Sequence, residues 1–256
     1  MPIAAPYPGF AEFLYKNTAK SNNGLCIYRP GDYNRNGKLS YEAVLQILEN
    51  TAGNHSAYSG DSIADANKSG IAWILTEWRV VIARRPENGE PLNITTWVRG
   101  KAPASSVYRD FILTDENGTE VIRAEAKFAL FDIASSRLTR ISEELFASYL
   151  PEDKTVFDNL RKLRAPSVFT AETEIGLRRS DIDFNGHVHN TRYIDLAMEA
   201  IPEEHYADDS FTEFHIVYYK PVFENSAVKA QYLVKDTSHF VTIFADDVCC
   251  ALVELK

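Results

Sequence analysis

The sequence predicts an α+β protein built twice over, each half a long helix packed on an antiparallel β-sheet, with the two halves forming an internal pseudo-dimer. Three observations carry this prediction. Strand-like segments follow one another with short polar breaks and no βαβ alternation, two amphipathic helical segments interrupt them, and the chain matches itself at a shift of 149 residues. That shift sets Asp32 on Asp181, Asn34 on Asp183, Asn36 on Asn185, Gly37 on Gly186 and Leu39 on Val188. A length of 256 residues leaves room for two modest domains, and 45% hydrophobic with 25% charged residues suits a folded chain.

The elements follow in order. Tyr41, Val44, Leu45, Leu48 and Ala52 recur at helical spacing and give the first helix one apolar face. IAWILTEWRVVIA and LNITTWV, rich in β-branched and aromatic residues, read as strands. YRDFILT, the turn DENG at residues 115–118 and TEVIRAEAKFALFD form a hairpin, in which Ile122, Ala124, Ala126, Phe128 and Leu130 face a core while Arg123, Glu125 and Lys127 face water. Residues 141–166 lose this alternation, gain helix formers and end in Pro166, as a partly helical crossing would. Tyr193, Ile194, Ala197, Met198 and Ile201 then mark the second helix, which Pro202 stops. FHIVYYKP, AVKAQYLVKD, HFVTIFA and VCCALVEL complete an antiparallel meander.

Composition excludes several classes. The 36 acidic residues against 27 basic ones give a net charge of −9, which argues against general affinity for nucleic acid or anionic membrane. Of three cysteines, Cys26 stands alone, and Cys249 and Cys250 are adjacent and would point to opposite faces of a strand, so no disulfide framework is expected. Residues 1–16 hold no charged segment ahead of an apolar core, and no stretch approaches the ~18 apolar residues of a membrane span. A soluble protein of the cytoplasm is the expectation.

The densest polar cluster is RRSDIDFNGHVHNTRY at residues 178–193. In extended backbone Asp183, Asn185 and His187 share a face, so a carboxylate, an amide and an imidazole meet. Gly186 permits a tight turn into the next helix, and backbone N–H groups around Gly186 to Val188 are candidates to face a developing oxyanion. A polar turn with a helix cap at Asn190 is the plain alternative. Only the second copy holds a titratable His–Asp pair, because Lys38 stands where it has His187 and Asn34 where it has Asp183. Calcium is disfavoured: both loops match EF-hand spacing at several positions, but the twelfth is Ala43 or Arg192 where a bidentate Glu is needed. His187 and His189 present two imidazoles to a transition metal with Asp183 nearby, but no further certain ligand accompanies them, and Glu199 on the helix beyond is the one that could reach back. No GxSxG supports a serine nucleophile.

At these residues the chain resembles the acyl-acyl carrier protein thioesterase family, whose members are tandem hotdog enzymes, and it is most similar to the bacterial type. RRSDIDFNGHVHNTRYIDLAMEAIP resembles the family run Ser-Asp-x-Asp-x-Asn-x-His-Val-Asn-Asn followed by Tyr and a helical Glu. NGKLS, WILTEWRVVIARRP, TTWVRG and YRDFILTDENG resemble landmarks of the first half, so the likeness covers nearly the whole chain. The resemblance implies an N-terminal hotdog domain at 1–140, a partly helical linker at 141–165 and a C-terminal hotdog domain at 166–256. It implies hydrolysis of fatty acyl thioesters of acyl carrier protein, with no metal or organic cofactor. Asp183, Asn185 and His187 would be catalytic, and Asn190, Tyr193 and Glu199 supporting.

Two positions depart from the family. Pro221 and Val222 stand where members carry an acidic residue, with Glu224 three residues beyond Pro221, and His189 replaces the second Asn. An acyl-coenzyme A thioesterase and a non-catalytic acyl-binding protein are the alternatives, and a homodimer is left open. The first half, lacking the catalytic groups, is the expected place for an apolar acyl tunnel, while Trp73, Trp78, Trp97 and Phe128 are read as core.

Overall fold

The computed structural model describes residues 22–26, 30–62, 65, 68–100, 105–158 and 161–256. The readings of residues 1–16 and of the Cys26 side chain lie outside the described residues. The first half contributes β1 (Asn22–Cys26), α1 (Tyr41–Tyr58), β2 (Ile71–Ile82), β3 (Leu92–Val98), β4 (Ser106–Thr114), β5 (Glu120–Asp132) and the short β6 (Arg137–Leu138). After α2 (Glu143–Ser148) come β7 (Ala171–Ile175), α3 (Tyr193–Met198), α4 (Glu203–Asp208), β8 (Glu213–Tyr218), β9 (Val228–Lys235), β10 (Ser238–Ala245) and β11 (Val248–Leu255).

The described strands form one sheet in the order β1-β3-β4-β5-β2-β8-β11-β10-β9-β7, with β6 on β5. Its seam is the antiparallel pair β2 and β8, where Trp78 faces Ile216 and Val80 faces Phe214. All four side chains are buried. The intervening residues point to the opposite side of the sheet, as strand periodicity requires, so Arg79 lies beside His215, and His215 Nε2 is 2.6 Å from Glu77 Oε1. The seam is therefore apolar on one face and charged on the other.

The helices cover the apolar face. Ser40 caps α1 by accepting the Ala43 N–H, and the buried stripe Tyr41, Val44, Leu45, Leu48 and Ala52 joins Trp78, Phe111, Phe214 and Ile243 in one core shared by both halves. The second helix is shorter than the long helix expected of each half. A 3₁₀ turn (Asn190–Arg192) leads into α3, which spans six residues, because Pro202 and the tightened bonds from Ala200 and Ile201 to the carbonyls of Ala197 and Met198 close it.

The other face is not all wet, contrary to the expected alternation in β5. Residues 151–158 cross it, with the Glu152 N–H on Val98 O at 2.9 Å and the Trp97 indole N–H on Lys154 O at 3.1 Å. Beneath this strap Arg99 binds Asp110 at 2.6 and 2.7 Å and also pairs with Glu125, so Glu125 is buried as one member of a charge cluster.

One core implies one unfolding unit. Ile216→Ala, at the seam, is expected to cost about 2–5 kcal/mol and to lower a single cooperative transition in urea monitored by circular dichroism. Two separated transitions would show that the halves unfold independently.

Candidate active site

The repeat seen in the sequence is reproduced bond for bond. In the second copy the Asp183 N–H donates to His187 O (2.9 Å), Gly186 N–H to Asp183 O (3.0 Å) and His189 N–H to Asp181 O (2.9 Å). In the first, Asn34 donates to Lys38 O (2.8 Å), Gly37 to Asn34 O (2.9 Å) and Ser40 to Asp32 O (2.8 Å). Gly37 and Gly186 hold φ of 71° and 80°, the left-handed conformation that a side chain would strain. The Asp183 carboxylate accepts the Asn185 N–H at 2.8 Å just as the Asn34 amide oxygen accepts the Asn36 N–H at 3.0 Å. A neutral Asn holds the same turn, so the charge of Asp183 is not required for the loop.

Two depressions are related by the same shift. One, about 440 Å³, is lined by Asn34, Asn36, Ser40, Tyr41, Met198 and Glu199. The other, about 580 Å³, is lined at the corresponding positions by Asp183, Asn185, His189, Asn190, Glu49 and Asn50. The wall of the first is braced by polar contacts: buried Asp209, itself at φ 47°, receives Asn34 Nδ2 at 2.7 Å and Arg85 Nη2 at 3.0 Å, while Lys38 Nζ donates to the Asp209 carbonyl at 3.1 Å. The second continues into the smaller apolar cluster, where Trp73, Val98, Val107 and Phe128 of the first half and Ile141 and Phe146 of the crossing that follows it line the wall. Trp73 and Phe128 are thus cavity wall, whereas Trp78 and Trp97 are buried core.

The far lining is polar but closed on itself. Tyr149 OH and Trp73 Nε1 both donate to Asp61 Oδ2 at 2.6 Å, and Arg109 Nη1 meets His55 Nδ1 at 2.6 Å. Burial, then the adjacent guanidinium, brings the His55 pKa down to about 4, so this imidazole is a neutral acceptor. Burial lowers Arg109 to about 10, which leaves it charged at neutral pH.

The predicted residues separate into groups. Asp183, Asn185, His189 and Asn190 meet at the cavity. His187 stands in the same loop with Nδ1 3.6 Å from Asp183 Oδ1 and its ring edge-on to Phe223, but it is not part of the cavity wall. The Gly186 and Val188 N–H groups, expected to face an oxyanion, are already used: Gly186 bonds within the loop and Val188 donates to Val222 O at 2.8 Å. Tyr193 is buried, and its hydroxyl accepts the Val222 N–H at 3.0 Å, so it holds the segment whose Phe223 bridges to His187. Glu199 lines the first-copy depression instead, because the repeat sets it opposite Asn50. Val222 is fully buried and Glu224 is exposed in the following turn. Glu49 was missed by sequence reasoning, although the shift sets this carboxylate on buried Met198.

Relatives agree with this architecture. The chain matches the family descriptions "Acyl-ACP thioesterase N-terminal domain" at residues 26–149 and "Acyl-ACP thioesterase C-terminal domain" at residues 167–246. It is 30% identical over 177 residues to the chloroplastic palmitoyl-acyl carrier protein thioesterase of Arabidopsis thaliana, covering 64% of this chain and 43% of that one. It is 29% identical over 199 residues to oleoyl-acyl carrier protein thioesterase 2 of the same plant, covering 70% and 53%. The chain spans about half the length of the curated relatives it matches. The crystal structure of an acyl-ACP thioesterase from Bacteroides thetaiotaomicron superposes with a TM-score of 0.81 at 20% identity, over 92% of this chain and 96% of that one. The 12:0-ACP thioesterase of Umbellularia californica gives 0.78 at 18% identity over the same shares. At such identity these two structures establish the tandem hotdog fold alone. With both domain descriptions matched in order along one sheet, the chain belongs to the acyl-ACP thioesterase family.

Proposed function

We propose that this protein hydrolyses the thioester of fatty acyl-acyl carrier protein, releasing a free fatty acid and the carrier thiol. The observation that carries the reading is the cavity of about 580 Å³, which joins an apolar lining from the first half to Asp183, Asn185 and Asn190 of the second. In this reading residues 1–140 supply most of the acyl cavity, residues 166–256 the catalytic motif, and residues 141–165 join them.

The chemistry follows from the groups present. His187 presents Nδ1 to Asp183, which favours the tautomer with Nε2 free to take or relay a proton. Among the donors that line the cavity, the Asn190 side-chain amide and the second N–H of the Asn185 amide, whose first is shared with Asp183, suit the thioester oxygen better than the engaged N–H groups of Gly186 and Val188. Tyr218 OH donates to Asn190 O at 2.8 Å and fixes the start of the helix. No metal or organic cofactor enters this scheme, and water is the second substrate.

The acyl carrier protein is the partner in this reading, and a cytoplasmic location goes with it. The internal pairing of halves completes the site within one chain, so a homodimer adds nothing that the reaction needs. No described helix is long and apolar enough to cross a membrane. A second reading, an acyl-binding protein without turnover, is favoured by one observation: Pro221 and Val222 supply no carboxylate at the family's acidic position.

Thiol release from matched acyl-carrier-protein and acyl-coenzyme A substrates separates these readings. Faster release from the carrier protein supports the proposal, faster release from coenzyme A changes the substrate, and tight acyl binding without release favours the second reading. His187→Ala is expected to lower turnover by roughly 10²-fold with the fold intact; an unchanged rate removes His187 from the mechanism. Asp183→Asn should keep the wild-type melting temperature, since Asn34 holds the identical turn, while turnover falls. A lower melting temperature would contradict that argument. Phe146→Ala, which enlarges the apolar lining, should shift preference toward longer acyl groups, and an unchanged chain-length profile would place the acyl group elsewhere.

A further inference from the structure

The two related depressions allow a direct comparison of what the sequence has added to one of them. At corresponding positions the first carries Asn34, Ser40 and Met198, and the second carries Asp183, His189 and Glu49. Glu49 therefore comes from the helix of the opposite half. Its neighbours along the helix face, Leu45, Leu48 and Ala52, are buried in the core, so a carboxylate here breaks an apolar stripe.

His189 holds this carboxylate. The His189 ring caps the following turn by accepting the Thr191 N–H at Nδ1 (3.4 Å), and Thr191 Oγ1 lies 3.0 Å from the same nitrogen. A nitrogen that accepts bears no proton, which puts the proton on Nε2, and Nε2 lies 3.3 Å from Glu49 Oε2. Among the described residues Oε1 of Glu49 has no such partner. Asp183, by contrast, spends its oxygens on the Asn185 N–H (2.8 Å) and the Asn185 side-chain amide (3.2 Å).

We propose that Glu49, positioned by His189, is the carboxylate that accepts the proton of the attacking water, in a site where Pro221 and Val222 provide none. This deepens the thioesterase reading and rests on it. An O–H bond of water breaks, its proton passes to Glu49, and the water oxygen bonds to the thioester carbonyl carbon. The C–S bond then breaks, sulfur leaves with the electron pair, and the carboxylic acid on Glu49 returns its proton to give the thiol. Thioester and water become carboxylic acid and thiol, and Glu49 is a carboxylate again. His187 is then a relay, not the first acceptor.

The electrostatics make Glu49 a stronger base than an ordinary carboxylate. Burial pushes the Glu49 carboxyl above its ordinary range, His189 pulls it back, and the negative charge of Asp183 pushes it up again. Tyr218, whose own pKa is raised by burial and by Glu49, is the other titratable group facing it. A base must be ionised to act, so turnover falls as pH drops through the Glu49 pKa. Removing the imidazole that holds this pKa down moves that fall to higher pH.

The experiment is the pH profile of thiol release from acyl-acyl carrier protein by the full chain, for wild type, Glu49→Gln, Glu49→Asp and His189→Asn. Glu49→Gln is expected to lose about 10²-fold or more in kcat with little change in KM. His189→Asn should turn over more slowly with its acid limb at higher pH, and Glu49→Asp, which retains a carboxylate, should keep an acid limb at reduced rate and decides the matter if Glu49→Gln misfolds. Wild-type turnover in Glu49→Gln, or an unmoved limb in His189→Asn, overturns this assignment alone. A wild-type protein that releases no thiol from any acyl thioester overturns the thioesterase reading, and this one with it.

Discussion

The pairing of β2 with β8 is the constraint on which the rest of the molecule depends. Backbone bonds across this seam make one sheet of two half-sheets, and Trp78, Val80, Phe214 and Ile216 make one core of two half-cores. Because both helices then lie on the same face, the loop that opens each helix is brought against the helix of the other half. Every pocket built this way is composite. Asp183 and His189 come from one half and Glu49 from the other, so neither half holds the cavity alone.

Duplication also separates what the loop needs in order to fold from what it adds. The three backbone bonds, the left-handed glycine and the side-chain oxygen that accepts two residues ahead occur in both copies. These belong to the turn. Asp183, His189 and Glu49 stand in one pocket where the repeat sets Asn34, Ser40 and Met198 in the other. Their cost in desolvation gains nothing for the turn, since Asn34 and Ser40 make it without them.

The backbone periodicities, the repeat and the turn at residues 115–118 were legible in the sequence because each is set by neighbours a few residues away. What was not legible came from distant contacts. Glu125 alternates like a solvent-facing residue, and only the strap at residues 151–158 explains its burial beside Arg99. Gly186 and Val188 offered N–H groups on paper, but the partners that consume them are fixed by the turn itself and by Val222. Glu199 fell in the right helix and the wrong pocket. Glu49 carried no signal of its own in the sequence, because its meaning depends on His189, which lies 140 positions away.

Asp209 gives the asymmetry a further meaning. An assembly of two identical halves must present two equal mouths, and a long flexible ligand could then enter from either side in either sense. Here Asn34, Lys38 and Arg85 converge on Asp209 and cross-link the wall of one depression. The twofold equivalence of the two depressions is removed in this way: one is braced by a knot of polar bonds, and the other opens onto the smaller apolar cluster.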